Sequence, residues 1–136
     1  MATQRLLIGT VVGGIVLFFV GYLLFGILLA DFFAANAGTA TGVPKMPFNF
    51  VALGIGQLGF AAALTLILGW AGVRDIATGA TTAGIVGLLF FLGIDLTMYA
   101  TTNTQNLTAT LVDPVVSAVL FAVAGAAIAA AAGKKG

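Results

Sequence analysis

The chain has 136 residues, of which 61% are hydrophobic and 7% charged, with a mean hydropathy of +1.20 and a formal net charge of +1. Soluble domains carry about one quarter charged residues, so this is the composition of several membrane spans joined by short connections. A charge so close to zero offers nothing to a phosphate backbone and excludes nucleic acid as a partner, while the lack of cysteine, histidine and glutamate removes disulfides, thiolate and zinc-thiolate chemistry and the commonest general base.

The first span is the uncharged run from Leu6 to Leu29, extending to about residue 30. At about 1.5 Å per residue it is roughly 36 Å long, more than the ~30 Å of a bilayer's hydrocarbon core. Arg5 and the Ala35-Asn36-Ala37 run imitate a signal peptide, but the apolar region of such a peptide is only about 7–15 residues long. The segment is therefore read as a retained helix. Gly9 and Gly13 form a small-xxx-small pair, and Gly14, Phe18, Gly21 and Phe25 share one stripe; both patterns suit close helix packing. Tyr22 lies deep enough to need a partner for its hydroxyl.

Residues 31–47 read as a loop, because Asn36, Gly38, Gly42, Pro44, Lys45 and Pro47 break helices and favour water. The second span covers residues 48–71 and ends on Trp70, which fits an interfacial belt. Gln57 sits among Gly54, Gly56 and Gly59, where it serves either as interhelical glue or as a ligand contact. After the charged turn at Arg74-Asp75, the third span covers 78–99 through Gly84, Gly87 and Gly93. The polar stretch 101–111 leads to Asp113-Pro114, which reads as N-cap and first helical residue of a fourth span over 114–132. The expected fold is all-α, one membrane domain built as a bundle of four transmembrane helices. A faint likeness between the runs after Gly14 and Gly84 suggests parallel hairpins or apolar low complexity.

Basic residues set the orientation. With the N-terminus inside, Arg5, Arg74, Lys134 and Lys135 are cytoplasmic and only Lys45 is outside, so the positive-inside rule favours N-in and C-in. That topology gathers Asp31, Asn36, Asp95, Tyr99, Asn103, Asn106 and Asp113 at the outer side. Oxygen ligands of this kind suit a hard cation, although no particular metal is indicated. Asp113 reads first as a helix cap and Asp31 as a residue at the water interface. Asp95 follows more than a dozen apolar positions and is either a satisfied structural carboxyl or part of a site. If the third helix runs on, Asp95, Tyr99, Thr102 and Asn106 share a stripe. Ser117 has no histidine to activate it and no nucleotide or hydrolase motif is present, so no enzyme and no cofactor are expected. The Asn106-Leu107-Thr108 sequon matters only in a glycosylating host.

Several blocks, Phe19-Val20-Gly21-Tyr22-Leu23, Gly26 to Phe33, Asn36-Ala37-Gly38, Asp95 to Tyr99, Thr101-Thr102-Asn103, Asn106-Leu107-Thr108 and Val112-Asp113-Pro114, resemble a family of small, uncharacterised bacterial four-span membrane proteins, a domain of unknown function. The resemblance implies four helices and a bacterial inner membrane, and it transfers no catalytic residue. The expected role is non-enzymatic: a bundle packing in the lipid bilayer through Gly9, Gly13, Gly14, Gly21, Gly54, Gln57, Gly84 and Gly87, with itself or as an accessory subunit of a larger membrane complex. A small oligomeric channel or transporter with an outer cation site is the alternative, although Gln57, Thr65, Tyr22 and Thr10 are all it has to line a path.

Overall fold

A computed structural model describes residues 2–135. They form α1 (Thr3–Gly21), continued by a π-helical segment (Tyr22–Leu28), then α2 (Ala30–Ala35), α3 (Phe50–Trp70), α4 (Ile76–Thr101) and α5 (Leu107–Ala132). There is no strand among the described residues, only an isolated bridge between Ala37 and Gln105. Four helices, Thr3–Leu28, Phe50–Trp70, Ile76–Thr101 and Leu107–Ala132, are long and apolar enough to cross a membrane.

The helix boundaries follow local chemistry. Asn49, Asp75 and Asn106 accept the backbone N–H of Ala52, Thr78 and Ala109 at 3.0, 2.9 and 2.9 Å, satisfying orphan donors at three N-termini. α3 stops because Gly72 adopts φ +71°, and Val73 N–H and Gly72 N–H return to the carbonyls of Leu68 and Gly69. That double return is a Schellman close, which needs glycine at the left-handed position. The fourth long helix begins seven residues earlier than Pro114 suggests, so Asp113 is not its N-cap and Pro114 lies inside it. The residues expected to be a plain loop also contain a short helix, α2, which carries Asp31.

α1 packs against both α3 and α5, α5 packs most extensively against α4, and α3 barely meets α4. The helices therefore run in space as α3, α1, α5, α4, an arc open between its two ends. The α4–α5 pair is built from two ridges of four-residue spacing: Gly79, Ala83, Gly87, Phe91 and Asp95 on α4, and Asp113, Ser117, Phe121, Gly125 and Ala129 on α5. A Cβ on Gly79 would lie 2.7 Å from the Gly125 carbonyl oxygen, and one on Gly87 would lie 2.7 Å from Phe121 Cβ. The missing side chains are what let the helices approach so closely. On α1, the space over Gly9 is taken by Thr65, over Gly13 by Ile128 and Ala61, and over Gly14 by Leu58. Leu17, Leu64, Leu68, Phe121, Ala124 and Ile128 form the core beside them.

The two ends of the bundle are tied differently. At the end carrying both termini, Arg5 is only 4% exposed and donates to the carbonyls of Val73 (2.7 Å) and Gly133 (3.4 Å). A guanidinium there complements the negative C-terminal ends of α3 and α5. At the opposite end, Asn106 donates from Nδ2 to Asn36 Oδ1 at 3.0 Å and from its backbone N–H to the Asn36 carbonyl at 3.1 Å.

Candidate functional site

Because α3 leans on α1 and leaves α4, a cavity of about 740 Å³ opens between the π-helical end of α1, the first half of α3 and the first half of α5. Ligand pockets typically occupy about 300–1,000 Å³ and combine apolar walls with a few polar groups. Phe60, Phe91 and Phe121 come from three helices and meet with ring centroids 5.4–6.0 Å apart. All three line the cavity, as do Phe18, Tyr22 and Phe25 from the first helix. In the π-helical turn Leu29 N–H reaches back five residues to the Leu24 carbonyl at 2.9 Å, and the Tyr22 ring lies over Gly26, 3.2 Å from where a Cβ would stand. Such π-turns concentrate at functional sites.

The polar groups of the wall are few. Gln57 projects from α3, Asp113 and Ser117 from one ridge of α5, and Lys45 and Asn49 from the loop and the α3 cap. Ser117 is 2% exposed. The ridge pairing that sets Gly79 against Gly125 and Gly87 against Phe121 carries on along the helices, and it makes Asp95 and Asp113 neighbours. Asp95 is 6% exposed and its Oδ2 has no hydrogen-bond partner among the described residues. Two ionised carboxylates are both acceptors, so this contact becomes a hydrogen bond only with a proton between them.

Of the seven residues expected at the outer side, the structure brings together two pairs, Asp95 with Asp113 and Asn36 with Asn106, and gathers no larger cluster. Asp113 faces the cavity with Asp95 behind it. Asp31 sits exposed on α2, and Tyr99 is 43% exposed one turn beyond Asp95. The expected stripe ends there, because α4 stops at Thr101 and Thr102 turns to extended backbone. Asn36 and Asn106 are committed to tying the loops, and the Asn103 carbonyl accepts Ala40 N–H at 3.0 Å. No group of three or more His, Cys, Asp or Glu that could hold a metal exists among the described residues.

Of the expected packing positions, Gly9, Gly13, Gly14, Gly84 and Gly87 face neighbouring helices, and Gly21 has Leu120 at 3.4 Å. Gly54 meets nothing nearer than Phe18 at 4.0 Å, and Gln57 lines the cavity rather than joining helices. The backbone-to-backbone crossing of Gly79 and Gly125 escaped sequence reasoning, although the four-residue spacing of Gly79, Ala83 and Gly87 carried the signal. So did Ser117 as a wall residue. Thr65 is fully buried and donates to the Ala61 carbonyl at 2.7 Å, so it lines no path. Comparison of the chain with protein-family models, curated proteins and solved structures finds no match.

Proposed function

We propose that this chain is a multi-pass protein of a bacterial inner membrane, and that it is a non-enzymatic binding protein whose interhelical cavity holds a membrane-soluble small molecule. The observation that carries the reading is the cavity itself: about 740 Å³, floored by three converging phenylalanines and furnished with Asp113, Ser117 and Gln57. The membrane assignment rests on the four long apolar helices and the family resemblance. The orientation, N-in and C-in, rests on Arg5, Arg74, Lys134 and Lys135 lying at one end and Lys45 at the other.

The chain lacks cysteine, which makes the test direct. In Ser117→Cys, the neutral reagent N-ethylmaleimide should label position 117 in the intact bilayer, while Ala124→Cys, in the closed core at 0% exposure, should stay unlabelled. Equal, negligible labelling of both would remove the cavity reading. For orientation, an impermeant maleimide applied to whole cells should reach Ala40→Cys and not Lys135→Cys.

A second reading, a packing unit that joins copies of itself or serves as an accessory subunit, is favoured by the outward face of α3. Gly56, Gly59 and Ala63 form one exposed stripe, and the Cβ positions of Gly56 and Gly59 have nothing within 4 Å. Native mass spectrometry from gentle detergent tests it: a defined oligomer of wild type that Gly59→Leu dissociates supports it, and a monomer in both counts against it. A channel through one copy lacks such support, since Thr65 is sealed in the core.

A further inference from the structure

Resting on the cavity reading, we infer that the occupant is a hydrophobic monovalent cation, an aromatic or branched alkyl body carrying one ammonium- or phosphonium-type charge. The charge sits at Asp113 and the body lies among Phe60, Phe91 and Phe121.

Charge points to this class first. Asp113 lines the cavity, and behind it Asp95 is 6% exposed with an unpartnered Oδ2. Of the two carboxyls, Asp113 is the one that faces the cavity. Of the protein's own cations only Lys45 lines the cavity, from the exposed loop. Arg5 is spent on the carbonyls of Val73 and Gly133 at the opposite end. A carboxylate among phenylalanines calls for a counter-charge, and an occupant that brings its own supplies it.

The walls point the same way. Aromatic ring faces are electronegative and attract cations, most strongly where water is excluded, and grouped aromatic rings are how quaternary ammonium ions are held. A neutral apolar occupant would leave the carboxyl pair uncompensated. An anion would gain only from Lys45, at the mouth, and would be repelled by Asp113. The gap between α3 and α4 gives a lipid-soluble molecule a lateral way in.

Tetraphenylphosphonium and tetraphenylborate have nearly the same shape and opposite charge, so they separate charge from hydrophobicity. With the full chain in nanodiscs of zwitterionic lipid, equilibrium dialysis should show saturable binding of tetraphenylphosphonium that tetraphenylborate does not compete for. Asp113→Asn should weaken it by about tenfold or more, the scale of losing a charge-assisted contact, whereas Asp113→Glu should retain it. Tetraphenylphosphonium should also protect Ser117→Cys from N-ethylmaleimide. If wild type binds the borate as tightly, or binds neither ion, or if Asp113→Asn binds like wild type, the inference is overturned. The wild-type charge comparison stands even if a variant fails to fold. Position 117 labelled but unprotected by the cation sinks the ligand class and leaves the cavity. Position 117 unlabelled sinks the cavity reading itself.

Discussion

Replacing Gly125 with alanine adds a single methyl group where α4 and α5 cross backbone to backbone. An ideal Cβ there would overlap the Cβ of Ala83 and the carbonyl oxygen of Gly79, with the Gly79 carbonyl carbon at 3.1 Å. Two of those three atoms belong to the backbone of α4 and cannot rotate aside, so relief requires the helices to separate by roughly 1 Å, a gap that forfeits a quarter to a half of the dispersion attraction along the seam. Overpacking of this kind costs about 1–3 kcal/mol, and the upper half of that range applies where the obstacle is main chain. Against it stands the better helix propensity of alanine, about 1 kcal/mol. The steric cost exceeds that gain, and Gly125→Ala should be destabilised by about 1–2 kcal/mol, read as unfolding of the full chain in mixed micelles titrated with denaturing detergent. Gly59→Ala is the matched control, since nothing lies within 4 Å of its Cβ position, and it should match wild type or exceed it. A Gly125→Ala protein as stable as the Gly59→Ala protein would refute the close α4–α5 crossing.

Arg5→Met keeps most of the side-chain volume but leaves the Val73 carbonyl without its donor and the Gly133 carbonyl with Arg74 alone, at 3.5 Å; a loss of about 2 kcal/mol is expected, and an unchanged melting temperature in detergent would show that the clasp carries no stability. In a double-mutant cycle of Asn36→Ala and Asn106→Ala, the 3.0 Å side-chain contact should give a coupling of about 1 kcal/mol, with Asn106→Ala the costlier single change because it also uncaps α5. The Asp75 carboxyl is held below its ordinary value of 3.8 by the backbone N–H of Thr78 and then by the Thr78 hydroxyl. A lowered value in the folded state means that its contribution is present above pH 3.8 and is lost as the pH falls through the lowered value. Acid titration of stability should therefore show a small downward step below pH 3.8 that Asp75→Asn lacks.

The long helices were legible because uninterrupted apolar runs leave no other structure for their length. Their ends were legible only where punctuation was unambiguous. Gly72 and Asp75 mark the α3–α4 turn plainly, whereas Asp113-Pro114 imitates a helix start. The imitation fails because Asn106 has already capped the helix, so the absent N–H of Pro114 costs one rung and does not end the helix. The site was harder to see. Asp95 and Asp113 belong to separate helices, and nothing local in either sequence fixes the offset at which two antiparallel ridges engage. That offset is decided by the crossing of Gly79 with Gly125, and it carries the carboxyls to one another as a consequence. The cavity was hidden for the complementary reason: it is a region where helices fail to meet, and apolar patterning reports surfaces that must be covered without saying which pair will be left apart.

The Arg5 clasp has a consequence in time. Its two carbonyl partners lie 68 and 128 residues further along the chain. Of the three groups the guanidinium is made first, the Val73 carbonyl next and the Gly133 carbonyl only after the fourth long helix. Until that helix has been made, Arg5 lacks the second of its partners. The clasp therefore closes last, when the final long helix packs, and a chain cut short before Gly133 would have every helix but no completed latch.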